Sequence, residues 1–145
     1  MEDVIRLFAD IRDIGRGEGL KHFLLKIYGL LFLRGLGFRM IVFEPEIFDF
    51  RPDILAIRVV KDGVEVAWLE CGKMHKPYSK VKEVLDKLKT VLSGKLNVRY
   101  RIFDVNTKQA NLPSYVEAVW VSEYAIKLLY EVYNMASRSD YEIQE

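Results

Sequence analysis

Apolar residues recur along this chain with two different spacings, and the change from one to the other marks its elements. Between residues 3 and 13, Val4, Ile5, Leu7, Phe8 and Ile11 outline a short amphipathic helix, which "GRGEG" breaks. From Leu20 to Leu33 the sequence is apolar almost all round, with Leu20, Phe23, Leu24, Ile27, Leu30 and Leu31 on one face. Such a helix needs cover on more than one side, from a sheet and from another element or subunit. The pattern then shortens to strand-like runs at 38–44, 53–60 and 64–71. "KDG" between the last two is a hairpin turn signal, with Gly63 as the residue able to take a positive φ. Over 78–92, Val81, Val84, Leu85, Leu88, Val91 and Leu92 return to three- and four-residue steps, and Gly94 follows as a stop. Residues 97–105 and 116–121 alternate as two further strands, and Ser122 opens a last helix to about Ala136.

Strands joined by a hairpin, then a helix, then more strands imply an α/β sandwich: a central mixed sheet of about five strands flanked by helices. At 145 residues the chain is long enough for one core and short for two. It is expected to form a single domain, with 1–17 a helical extension, 18–136 the core and 137–145 a frayed tail.

Composition narrows the chemistry. A single cysteine, Cys71, excludes an intramolecular disulfide and argues against a cysteine-built zinc site. The two histidines, His22 and His75, are far apart, so a metal site would rest on carboxylates, which suits hard cations such as magnesium or manganese. The most lipid-like stretch, "FLLKIYGLLFLRGLGF", is interrupted by Lys26 and Arg34 and is too short to span a bilayer. The expectation is a protein without a membrane span, in the cytoplasm.

Net charge is only +1, but it is unevenly spread. Between Lys73 and Arg101 there are nine Lys and Arg against Glu83 and Asp86, while the rest holds thirteen basic and nineteen acidic residues. A face of that kind suits a polyanion, or is simply the solvated side of a lysine-rich helix.

Candidate chemistry gathers in "RPDILAIRVVKDGVEVAWLECGKM". Asp53 begins one strand of the expected hairpin and Glu70 lies near the end of the other. If paired residues sum to about 124, Asp53 opposes residue 71, and one register step brings the two carboxylates within reach of one ion. Two such carboxylates can share a divalent cation, with a lysine stabilising charge on a phosphate oxygen. The plain readings are a strand-opening Asp53 and a surface ion pair between Glu70 and Lys73 worth under about 1 kcal/mol. Cys71 reads as a small buried residue and Trp68 as core. Trp120, Tyr124, Tyr130 and Tyr133 read as core or dimer contacts.

The motif Pro52-Asp53 with Glu70-Cys71-Gly72-Lys73, set in this order of elements, resembles the PD-(D/E)XK (restriction-endonuclease-like) nuclease superfamily over about residues 18–135. "PDIL", "DG" and "WLECGKM" are also similar to its YaeQ branch. The resemblance implies that Asp53 and Glu70 bind Mg2+ or Mn2+, that the Cys71 carbonyl completes the site, and that Lys73 is the catalytic lysine. Glu18, ahead of the first core helix, is a further candidate ligand. The lysine stands three residues after the glutamate instead of two, which in a regular strand turns it to the other face. A bulge at Gly72 restores it; otherwise Lys76, Lys80 or Lys82 supplies the lysine, or the site has decayed.

The expected function is therefore a metal-dependent nuclease-like protein hydrolysing phosphodiester bonds, DNA ahead of RNA, with Lys76, Lys80 and Lys82 on the nucleic-acid backbone. The alternatives are a catalytically inactive nucleic-acid-binding or scaffold module on the same fold, or an oligomerisation protein, such as a homodimer, built on helix 20–33.

Overall fold

The structure, a computed structural model, describes residues 19–72, 77–94, 96–108 and 111–144. The expected helix at 3–13 lies outside these residues, as do Glu18, Lys73, His75 and Lys76. Among the described residues eight elements follow in order: α1 (Leu20–Gly35), β1 (Met40–Phe43), β2 (Ile54–Val60), β3 (Gly63–Cys71), α2 (Tyr78–Leu92), β4 (Asn97–Asn106), β5 (Val116–Trp120) and α3 (Glu123–Gln144).

The strands form one five-stranded sheet in the order β1-β2-β3-β4-β5. β1, β2 and β3 are an antiparallel meander, whereas β4 and β5 run parallel to β3. The change of direction is what the α2 crossover permits, since a parallel neighbour cannot be reached by a tight turn. The fold is thus the expected α/β sandwich with a mixed sheet.

Alternation along the strands divides the core in two. Ile54, Ala56, Ala67, Leu69, Phe103 and Val105 face α1 and α3. Leu55, Val66, Trp68, Val98, Ile102 and Val116 face Val81, Val84 and Leu85 of α2. Helix α1 is therefore covered by the sheet and by α3 of the same chain, with Phe23 edge-on to Tyr133 at 5.8 Å between ring centroids. It lies very close to the sheet at Gly29, where a Cβ would come within 2.7 Å of Leu69 Cδ2. The bare backbone there is what allows the helix so near.

The hairpin turn corrects one expectation. Asp62 takes the positive φ (70°), and Gly63 is already a strand residue paired with Val60. Asp tolerates the left-handed region, so no glycine is required at the turn. Gly63 is small for another reason: a Cβ there would sit 1.8 Å from the Asn97 carbonyl oxygen on β4.

Ser122 caps α3 as expected, its Oγ accepting from the Ala125 N–H at 3.1 Å. The helix runs on to Gln144, through the segment read as a tail. Among the described residues no helix is long and apolar enough to cross a membrane.

Candidate functional site

The site is built where the strands of the parallel half end. β3 finishes at Cys71, β4 at Asn106, and antiparallel β2 begins beside them at Ile54. Ligand sites in α/β sheets commonly lie at this carboxyl edge. The α1 start reaches the same edge with Gly19 as its N-cap, no side-chain cap and no acidic residue in its first turn.

Register decides which acids meet. Val60 pairs with Gly63 and Ile54 with Leu69, one step from the pairing the sequence suggested. The next position outward places Asp53 opposite Glu70 instead of Cys71. The register step that the two carboxylates needed is the one present.

Each carboxylate is held by donors from its surroundings. Asp53 Oδ2 accepts the Cys71 backbone N–H at 2.7 Å, and Oδ1 lies 3.2 Å from His22 Nε2 on α1. Glu70 Oε1 accepts the indole N–H of Trp68 at 2.8 Å, two residues back on the same face of β3. Trp68 itself is fully buried, as expected of a core residue. Parallel pairing then sets Asp104 directly beside Glu70, and the Tyr78 hydroxyl at the start of α2 donates to Asp104 Oδ2.

Electrostatics follow from this crowding. Burial pushes the Glu70 pKa from its ordinary 4.5 to about 7. The Trp68 bond opposes that shift, while the Asp53 charge, a hydrogen bond with the Asp53 carboxyl and the Asp104 charge add to it. Burial, then the bond to Asp104, raises the Tyr78 hydroxyl far above its usual range, so it acts as a fixed donor. Burial likewise pushes the Cys71 thiol well above its ordinary value, with Asp53 and Glu70 assisting. Cys71 is a free, buried, neutral thiol, a packing residue and a poor nucleophile.

Of the expected site residues, the structure therefore brings together Asp53, Glu70 and the Cys71 backbone. β3 keeps a regular register through Cys71, and Gly72 then leaves strand geometry at φ 77° while its N–H still reaches the Val105 carbonyl at 2.9 Å. Lys80 and Lys82 lie on α2 with their ammonium groups against acids of the same helix. Lys80 is 3.6 Å from Glu83, and Lys82 is 3.0 Å from Asp86. The hydrogen bond to Asp86 raises the Lys82 pKa.

Sequence reasoning missed His22, Asp104, Tyr78 and Lys26. Lys26 stands one turn along α1 from His22, is 1% exposed, and lies 3.6 Å from Glu44. Its charge is felt at Cys71, where it opposes the upward shift. A lysine in the middle of the apolar run from Phe23 to Leu33 was a usable signal. Asp104 carried none, because only the parallel register sets it beside Glu70. Trp120 and Tyr124 depart from the core reading, being 60% and 71% exposed.

Among the described residues no group of three or more His, Cys, Asp and Glu is arranged to hold a metal ion. Asp53 and Glu70 offer two carboxylates, and hard oxygen donors of that kind fit magnesium or manganese. Comparison of the chain with protein-family models, curated proteins and solved structures finds no match.

Proposed function

We propose that this chain is a metal-dependent nuclease that hydrolyses phosphodiester bonds, of DNA ahead of RNA, with Mg2+ or Mn2+. One observation carries the reading: strand register sets Asp53 opposite Glu70 at the sheet edge, and repulsion from Asp53 adds to the burial that holds a proton on Glu70. A divalent cation in place of that proton relieves the same repulsion. The order of elements adds support. A helix, a three-stranded meander carrying both acids, a crossover helix and a parallel strand are what resemblance to the PD-(D/E)XK superfamily implies.

Asp53, Glu70 and the Cys71 carbonyl are the proposed ligands. The bound ion would supply an activated water and neutralise charge at a phosphate oxygen. The chain's own groups orient these ligands. The Cys71 N–H and His22 hold Asp53, and Trp68 fixes Glu70. Lys73 is the proposed charge stabiliser. Lys76, Lys80 and Lys82 are the proposed backbone contacts. The pairs of Lys80 and Lys82 are exposed and weakened by solvent screening, so phosphate oxygens can displace Glu83 and Asp86 from them.

The test compares wild type with Asp53→Asn on labelled single- and double-stranded DNA, in magnesium, in manganese and in chelator. Cleavage by wild type with either metal, lost to background in the variant at unchanged circular dichroism, is expected. Retained cleavage in Asp53→Asn overturns the site. Salt-sensitive binding by wild type with no turnover in either metal assigns the fold to a non-catalytic binding module.

A further inference from the structure

Two cavities open at the same carboxyl edge, and they share a wall. The smaller, about 230 Å³, lies between β4, β5 and the loop before β5. Asp104 and Asn106 offer it polar groups, Leu112 closes it, and Trp120 forms its aromatic side. The larger, about 480 Å³, is lined by Lys21 and His22 of α1, Gly72, Thr107, Asn106 and Lys108. Asn106 and Lys108 line both. One space is therefore aromatic with a polar floor, and the other is basic with no acid among its described lining residues.

Trp120 is the unusual member. Most of its surface is open, yet its indole N–H is fixed on the Thr107 carbonyl at 2.8 Å. An indole held in one orientation with its surface left to solvent is pre-organised for a flat ligand. Asn106 is held as well, its amide reaching the Gly72 carbonyl at 3.3 Å and its oxygen accepting the Thr107 N–H at 2.9 Å. Thr107 Oγ1, on the wall of the basic cavity, is buried without a hydrogen-bond partner among the described residues. A flat polar ring beside an anionic group, joined by a short linker, matches this pair of spaces.

We propose that the paired cavities bind one unpaired nucleotide of a nucleic-acid strand, its base against Trp120 and its phosphate on the Lys21, His22 and Lys108 side. Stacking on an aromatic ring tolerates any base, and lysines track the phosphate, so the site recognises single-strandedness and not sequence. The assignment rests on the nuclease reading and names its substrate class: a strand with an unpaired end or an extruded base, delivered beside Asp53 and Glu70.

The chain carries its own probe, because Trp68 is fully buried and Trp120 is open. A short oligothymidylate titrated into the protein in chelator should quench the Trp120 emission and saturate. Trp120→Phe should lose that signal but keep affinity, read by anisotropy of labelled oligothymidylate. Trp120→Ala should weaken binding about tenfold. Blunt duplex of equal length should bind both variants alike, and Lys108→Ala should lower the salt dependence of oligothymidylate binding.

Wild-type affinity in Trp120→Ala overturns the proposal, as does an emission change driven by protein concentration alone, which assigns the face to self-association. Thymidine monophosphate binding as tightly as the oligomer overturns the strand assignment in favour of a free nucleotide. Binding is read without metal, so the two proposals fail separately. Trp120-dependent binding without turnover overturns only the catalytic reading. Asp53-dependent cleavage with Trp120→Ala indistinguishable from wild type overturns only this one.

Discussion

Two groups of charges share the sheet and are arranged by opposite rules. In the lower part, Glu65 on β3 lies 3.1 Å from Arg58 and 3.6 Å from Arg101. Arg101 in turn grips Glu117 through two bonds of 2.7 and 2.8 Å. Hydrogen bonding to each other raises the Arg101 pKa and lowers that of Glu117. At the carboxyl edge, Asp53, Glu70 and Asp104 crowd together, and burial, with the Asp53 and Asp104 charges adding to it, pushes Glu70 to about 7. Opposite charges placed together in the first group serve the fold. Like charges forced together in the second cost stability, and such costs are characteristic of sites where the surroundings hold them for a function.

Breaking each group should move stability in opposite directions. The largest effect is expected from Glu65→Ala, which leaves Arg58 and Arg101 without their shared acid in a largely buried position. It should lower unfolding free energy by about 3 kcal/mol, read from the urea midpoint. A loss under about 0.5 kcal/mol would break the contrast from the structural side.

Glu70→Gln should do the reverse. The folded chain keeps the Glu70 proton up to about pH 7, while the unfolded chain releases it near 4.5. The folded state therefore binds more protons between those limits, and stability falls as pH rises through that window. Removing the ionisable group while keeping an acceptor for Trp68 should add about 2 kcal/mol at pH 8 and almost nothing at pH 4. Destabilisation at pH 8 would refute the strain assigned to this edge.

The same proton should appear in function. If deprotonated Glu70 is needed to hold the metal, cleavage should fall about tenfold for each pH unit below 7 and level off above it. Emission from buried Trp68, read in Trp120→Phe, should titrate with the same midpoint. A flat pH profile between 5 and 8 would separate Glu70 from the reaction.

The smallest effect is expected at the exposed end of the balanced group. Glu117 is half exposed, so Glu117→Gln should cost under about 1 kcal/mol and less at high salt. A larger loss, insensitive to salt, would mean that the lower network is more deeply cooperative than its exposure suggests.

How much of this was legible beforehand differed by element. Helix α2 was readable to the residue, because Val81, Val84, Leu85 and Leu88 repeat at helical spacing between a proline and a glycine. The Asp53–Glu70 meeting was readable to within one position, since a hairpin couples turn and register. Even there, Asp62 took the turn conformation expected of Gly63, and one residue of slip decided that Asp53 faces Glu70. The end of α3 was misjudged because a polar, charged stretch has no apolar stripe to announce a helix. Of the two readings of Trp120, core or dimer contact, its exposure removes the first, because an aromatic in an apolar run says nothing of whether that run forms an edge strand.

What the sequence determined by itself is the local order: which stretches are helix or strand, and that two acids lie at the margins of one hairpin. These follow from spacings of a few residues, where backbone geometry leaves few choices. What only the tertiary structure decided is the company those acids keep. Asp104 reaches Glu70 through a parallel register set by a helical crossover, and His22 reaches Asp53 because Gly29 lets α1 lie so close to the sheet. Contacts between distant segments depend on how whole layers pack, and no periodicity along the chain encodes them.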